Sequence, residues 1–245
     1  MATRIAGIQP GYLPWLGYFD QMLLVDAFLI ADEMPFSSSG WTHRNRIKAP
    51  SGPQWLTLPA RPRRGEAIFE VALAASVPWQ RKHIASLRHL YAKAEPAGEQ
   101  LDALEAALPD AAPRLADASL ATIRFLAERL RIETPLLISS ELGLEARFRA
   151  RHPEGAGPTE RIACYLEALG ATELIEGASG RDYFDVALFE SRGFRVHFQR
   201  YEHPVYTQLH GDFVSHLSAL DLLLCEGEEG ARRVLRAASR TPVAS

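Results

Sequence analysis

The stretch from residue 4 to residue 48 restricts this chain more than any other part of it. A short apolar run over 5–8 is stopped by Gln9-Pro10, and apolar residues then recur at helical spacing over 16–25, with Leu16, Phe19 and Leu23 on one face. A second apolar run, 27–31, follows Asp26. Proline cannot donate to a sheet ladder, so 5–8 reads as a buried strand that ends in a turn. Strand, helix and strand in that order form a parallel unit, and ligands of parallel sheets sit beyond the carboxyl ends of the strands. The turn itself, Gln9-Pro10-Gly11-Tyr12-Leu13-Pro14-Trp15, is too dense in prolines and aromatics for a plain connection.

Candidate site residues cluster at these strand ends. Gln9 stands at the first. Pro10 and Pro14 restrict the chain between them, which holds Tyr12 and Trp15 with little entropy left to lose on binding. With Trp41 they form a candidate aromatic floor for a planar or sugar ligand. Asp32 and Glu33 follow the second strand, where a carboxylate can bind a hydroxyl, hold a metal or act as a general base; the plain alternative is a solvated turn. Downstream, Arg44, Arg46 and Lys48 surround Asn45. In an extended segment these cations share one face and make a clamp for phosphate or carboxylate, or else a solvated basic edge.

Residues 54–60 and 68–73 read as strands separated by the basic loop 61–65, paired as a hairpin or joined to the sheet edge. After Pro78 a helix is expected over 79–92, with Ile84, Leu87 and Tyr91 on its buried side. His83 lies near that side, as a general acid/base or as a packed core histidine. Residues 101–131 are helical scaffold interrupted by Pro109 and Pro113, so 78–132 is a mainly helical insertion. The βαβ pattern then returns. A strand over 135–139 ends in Ser139, Ser140 and Glu141; a polar connection covers 145–157; Thr159 is placed to cap a helix; a strand covers 173–176. The loop after it, containing Ser179, Arg181, Asp182 and Tyr183, offers backbone N–H groups to an anion, though it falls short of a phosphate-loop signature. A helix to 191, a strand over 194–201 and a helix over 213–224 follow, with Ser218 as a helix start and Asp221 as a partner for a buried donor. The expected architecture is one α/β domain over 1–234, a mostly parallel sheet with flanking helices, and a disordered tail over 235–245.

A net charge of −3 gives no global field for nucleic acid or an anionic membrane. No apolar run reaches the roughly 18–20 residues that span a bilayer, and no targeting signature opens the chain, so a soluble cytoplasmic protein is expected. Cys164 and Cys225 have no metal-ligand spacing and read as reduced core thiols, and no metal site is assigned.

Six segments carry a family resemblance: Gln9-Pro10-x-Tyr12-x-Pro14-Trp15-x-Gly17-Tyr18-Phe19, Arg44-Asn45-Arg46-Ile47-Lys48, Trp55-Leu56-Thr57-x-Pro59, Ser139-Ser140-Glu141, Gly180-x-Asp182-Tyr183 and Leu217-Ser218-x-x-Asp221-Leu222-Leu223. Together they resemble the WbqC-like family over about residues 4–227. The resemblance implies a cytoplasmic tailoring enzyme of bacterial polysaccharide (O-antigen), amino-sugar or secondary-metabolite synthesis, transferring an acyl or aminoacyl group to an amine. In the family pattern a histidine precedes Gln-Pro and an asparagine follows it; here these positions are Ile8 and Gly11. An essential histidine there would mean a lost or altered activity in this member.

The order of the first elements is also similar to pantothenate synthetase and related nucleotidyltransferases of the HIGH superfamily. Their His-x-Gly-His loop is absent, the region being Pro14-Trp15-Leu16-Gly17-Tyr18. That similarity implies a fold and acyl activation with ATP or another activated acyl donor, and no catalytic histidines. The enzyme reading takes an amino-sugar, amine or nucleotide-sugar as substrate, Asp32 or His83 as base, and Arg44, Arg46 and Arg181 as anion contacts. A nucleotide-sugar or glycan binding module needs the same aromatics and cations without a base; a structural partner of a biosynthetic complex needs neither.

Overall fold

The computed structural model describes residues 3–109, 114–240 and 242–244, so the helix break expected at Pro113 lies outside the described residues. In chain order the elements are β1 (Arg4–Ile8), α1 (Leu16–Leu23), β2 (Ala27–Ile30), β3 (Arg44–Ala49), β4 (Gly52–Thr57), β5 (Ala60–Arg61), β6 (Ala72–Leu73), α2 (Trp79–Leu90), α3 (Ala97–Ala107) and α4 (Leu115–Arg129). They continue as β7 (Leu136–Ile138), α5 (Ser139–Leu142), α6 (Leu144–Arg151), α7 (Pro158–Leu169), β8 (Glu173–Glu176), α8 (Val186–Ser191), β9 (Arg195–Phe198), α9 (Ala219–Ala238) and β10 (Val243–Ala244).

The main sheet runs β10-β9-β8-β1-β2-β7, with β9, β8, β1, β2 and β7 parallel and β10 antiparallel at the edge. This is the expected parallel α/β sheet with flanking helices, and α2 to α4 form the expected helical segment. β2 shows why its sequence is continuously apolar. Phe28 and Ile30 enter the large core, whereas Leu29 packs with Leu144, Phe148 and Tyr165 on the other face. From β1 the chain moves outward to β2 and β7, then returns to the other side of β1 as β8 and β9. The order therefore reverses between β1 and β8, which is where a doubly wound sheet opens a crevice at its strand ends.

Several local expectations are corrected. Residues 54–57 pair with β3, Arg46 opposite Trp55, and not with the segment around residue 70. Within 68–73, residues 68–70 form a 3₁₀ turn and only Ala72–Leu73 pairs, with Ala60–Arg61. The polar connection over 145–157 contains α6, anchored by Leu144 and Phe148. Thr159 does not cap a helix; its Oγ1 accepts the Asp185 N–H at 3.0 Å. The last long helix starts at Ala219 and not at 213, because His210, Gly211 and His216 hold positive φ values of 62°, 83° and 58°. α9 continues past residue 234 with Leu235 and Ala238 buried, which removes 235–238 from the expected disordered tail. It breaks at Gly227, whose φ of 66° and ψ of −177° leave the helix. A Cβ there would also stand 3.4 Å from Pro96.

The loop between β1 and α1 is fixed from three directions. Tyr12 N–H donates to Thr42 O (3.1 Å), Leu13 N–H to Thr122 Oγ1 of α4 (3.1 Å), Asn45 Nδ2 to Leu13 O (2.7 Å) and Ala219 N–H to Pro14 O (2.8 Å). These bonds hold Leu13 at φ 50°, a conformation a branched side chain adopts only under surrounding constraint. Below the loop Tyr12 hydroxyl meets His83 Nδ1 at 2.9 Å, and the far side of the ring bonds the Thr57 backbone.

A second buried polar group ties α9 to β3. Asp221 accepts from the Tyr91 hydroxyl (2.5 Å) and the Tyr206 hydroxyl (2.8 Å), and Tyr91 in turn receives the Lys48 N–H (3.1 Å). Lys48, 1% exposed, donates its ammonium to the Gly211 and Asp212 carbonyls and so holds down the 210–216 segment. Ser218 begins α9 as expected, its Oγ accepting the Leu220 N–H at 3.1 Å.

Two stability predictions follow from these contacts. Asp221→Ala strands two buried hydroxyls and leaves Lys48 without a counter-charge, so it should cost about 3–5 kcal/mol in urea unfolding, and Asp221→Asn clearly less. A loss below about 1 kcal/mol for the alanine variant would refute the network's role. The second concerns His83, whose imidazole is pushed from 6.5 down to about 4 by burial. The unfolded chain then binds more protons between those values, and stability falls as pH falls through that window, by about 3 kcal/mol in full. The stability gap between wild type and His83→Gln should narrow between about pH 7 and about pH 4.5.

Candidate functional site

Two chambers flank a pair of indoles at the carboxyl end of β1. The first, about 620 Å³, is lined by Trp15, Trp41, Arg46, Val214, Ser215 and His216. The second, about 330 Å³, lies over the end of β1 itself, bounded by Ile8, Gln9, Pro10, Gly11 and Tyr18 and by the same Trp15 and Trp41. A groove of about 610 Å³ beside the end of α4 includes Leu136, the first residue of β7. It lies at the wrong end of a parallel strand for a ligand site.

Trp15 is placed by what Gly17 lacks. A Cβ on Gly17 would fall 2.3 Å from the Trp15 ring, so the indole lies across the first turn of α1 only because that position is bare. The ring packs edge-on against Tyr201 (centroids 4.9 Å) and stacks on His216 (5.3 Å). Trp41 is 51% exposed and, with Trp55, carries the Arg46 guanidinium at 5.4 Å and 5.8 Å. Arg46 Nη2 donates to His216 O at 3.4 Å, and its Nε has no hydrogen-bond partner among the described residues. The side chain is half-buried on the wall of the first chamber, and no acid lies on that wall among the described residues.

His216 is exposed in the first chamber, its Nδ1 2.9 Å from Ser215 Oγ, and His203 stacks on it at 4.7 Å. The two imidazoles are unlike. His203 Nε2 accepts the His216 N–H (3.3 Å), which puts its proton on Nδ1, toward the Tyr201 hydroxyl at 2.9 Å. Burial first, and the neighbouring His216 second, push His203 down to about 4. It is a neutral support, while His216 is the imidazole that faces the first chamber.

The residues singled out from the sequence separate into those that reach this cleft and those used internally. Trp15, Trp41 and Arg46 line the first chamber; Gln9, exposed, borders the second. Arg44 lies beside them but donates to Ser39 O and Gly40 O and packs over Trp55 at 4.6 Å. Tyr12 is corrected from floor to strut: it is 1% exposed and bonded to His83. Asn45, 2% exposed, is a pin for the first loop, with the Arg46 N–H on its Oδ1 at 2.8 Å. Lys48 leaves the clamp because the 210–216 segment covers it.

Both candidate bases lie elsewhere. Asp32, 2% exposed, accepts from Ser139 Oγ (2.8 Å), Ser140 N–H (3.0 Å) and Ser140 Oγ (2.6 Å). It thus joins the end of β2 to α5, and Ser139 and Ser140 are its partners rather than a ligand's. Glu141 is exposed on that short helix. His83 is the packed histidine described above, held neutral by burial. At β8 the expected anion cradle is filled by the chain's own Glu176, which takes the Gly177 N–H (3.0 Å) and the Tyr183 hydroxyl (3.1 Å). Arg181 lies over the Phe198 ring at 4.1 Å; Ser179 and Asp182 are exposed.

Sequence reasoning missed His216, His203, Ser215, Val214, Tyr18, Thr42 and the spacing role of Gly17. The polar aromatic run after Tyr201 was a signal, but nothing local says that it folds back on Trp15. Ile8 and Gly11, where the family resemblance led to an expected histidine and asparagine, both line the second chamber.

The strand order is that of a doubly wound sheet, which many chemistries share, so it does not assign nucleotidyltransferase activity. Comparison with known proteins is more specific. The model of the WbqC-like protein family matches residues 9–233. The Mycobacterium tuberculosis protein "Uncharacterized protein Rv1507c" is 33% identical over 230 residues, covering 92% of this chain and 95% of that protein. The match takes in the Pro-aromatic loop, the β3 cations and the start of α9 that together build the cleft, and this chain belongs to the WbqC-like protein family.

Proposed function

We propose that this protein is a cytoplasmic tailoring enzyme that joins an acyl or aminoacyl group to an amine on an anionic, sugar-type substrate in polysaccharide or secondary-metabolite synthesis. The observation that carries the reading is the first chamber's combination of Trp15 and Trp41 faces with an available guanidinium, Arg46, and an exposed imidazole, His216. Indole faces take sugar rings or bases, and arginine takes phosphate or carboxylate. Asp32 and His83 are committed internally, so the base passes to His216. As the amine nitrogen bonds the acyl carbon, His216 accepts the amine proton and the donor's leaving group departs with the bonding pair. The acyl group would arrive on an activated acyl donor, or as a carboxylate activated at the expense of ATP. His203, stacked behind, keeps the ring oriented.

The binding-module reading rests on a different observation: neither carboxylate nor histidine expected as base reaches the cleft. Thermal stabilisation by UDP, nucleotide-sugars, ATP and amino acids, followed by mass spectrometry of paired mixtures, separates the two. The enzyme reading expects an acylated product from one pairing. His216→Ala should then cut turnover about 10²–10⁴-fold with little change in ligand affinity, and Arg46→Ala should weaken nucleotide binding about tenfold or more. Gly17→Ala, which displaces Trp15, should weaken binding while the protein stays folded. Stabilisation without product in every pairing would leave the binding module.

A further inference from the structure

The second chamber differs from the first in having no ionisable acid, lysine, arginine or histidine on its wall. Its boundary is Ile8, Pro10, Pro14 and the two indoles, with Gln9, Asn45, Thr42 and Tyr18 as the polar members. Two of those polar members end in unanswered hydroxyls. Tyr18, 3% exposed, and Thr42, 5% exposed, each have a buried side-chain oxygen with no hydrogen-bond partner among the described residues. Buried hydroxyls without partners are uncommon because each forfeits a hydrogen bond it would make in water. Burial holds the Tyr18 phenol far above its ordinary pKa, so it remains a neutral O–H donor and acceptor.

An apolar pocket with a few convergent polar atoms is the usual form of a small-molecule subsite, and about 330 Å³ is at the low end of the size range for one. We infer that this chamber binds a small uncharged group, the neutral acyl or amide portion of the substrate, packed on its apolar and indole faces with the exposed Gln9 as the polar side chain at its edge. An ammonium or carboxylate would enter without a counter-charge and lose its hydration, which a wall of this composition does not replace. The chamber thus selects a neutral acyl group over an aminoacyl group that carries a free ammonium. This deepens the proposed function by naming the group that sits across the Trp15–Trp41 wall from Arg46.

Three probes of equal size test it: butyramide is neutral, β-alaninamide is its cationic isostere and butyrate its anionic one. Saturation-transfer NMR on the full chain at neutral pH reads their relative affinities. Butyramide should bind at least tenfold more tightly than either charged probe. Gly11→Leu, which projects into the chamber, should abolish its binding. Equal binding of the three probes, no binding of butyramide, or full butyramide affinity in Gly11→Leu would overturn the inference. UDP binding, measured in parallel, reports on the first chamber alone. Butyramide selectivity without UDP binding would sink the nucleotide-sugar reading and leave this subsite standing.

Discussion

The loop from Pro10 to Trp15 depends on hydrogen bonds that none of its own residues can supply. Its backbone is answered by Thr42 and Asn45 from the β3 approach, by Thr122 from α4 and by Ala219 from the start of α9. Two prolines reduce the states available to the loop, but the left-handed Leu13 persists only because these partners arrive together. Each partner belongs to an element that packs in the large core, so the loop's shape and the core's packing are one cooperative event. The site at the end of β1 inherits that rigidity.

The opposite wall of the cleft is built differently. Residues 210–216 have no regular structure, and they stay in place through Lys48, whose ammonium is spent on two of their carbonyls, through His210, 2.8 Å from Leu90 O, and through Gln208, whose Oε1 accepts the Val214 N–H at 2.9 Å. A buried lysine of this kind gives up an exposed charge to fix a neighbour. The consequence is that Arg46, and not Lys48, lines the first chamber beside His216. One wall is set by proline geometry and the other by buried charge, and the ligand groups lie between them.

The two chambers divide the chemistry along the Trp15–Trp41 pair. One side carries the Arg46 guanidinium and the His216 imidazole; the other, with Ile8, Gly11, Tyr18 and Thr42, carries neither among the described residues. Ile8 and Gly11 contribute surface without charge to that second side.

The sequence by itself determined the parallel βαβ frame, the rigid aromatic loop after β1, the capping role of Ser218 and the buried-acceptor role of Asp221. Each of these follows from local periodicity, from proline and serine backbone chemistry, or from a polar residue among apolar neighbours. Only the tertiary structure decided which polar side chains face a ligand. Arg44, Arg46 and Lys48 share a strand face by the period of two, yet the 210–216 segment folds over Lys48 and leaves Arg46 open. Asp32 stands at a strand end as a base would, but Ser139 and Ser140, more than a hundred residues later, fill both its oxygens. His216 enters the cleft by a fold-back that has no signature in its own neighbourhood. Strand-face parity is a local property of the backbone, whereas exposure and hydrogen-bond occupancy are set by whatever distant segment packs on top.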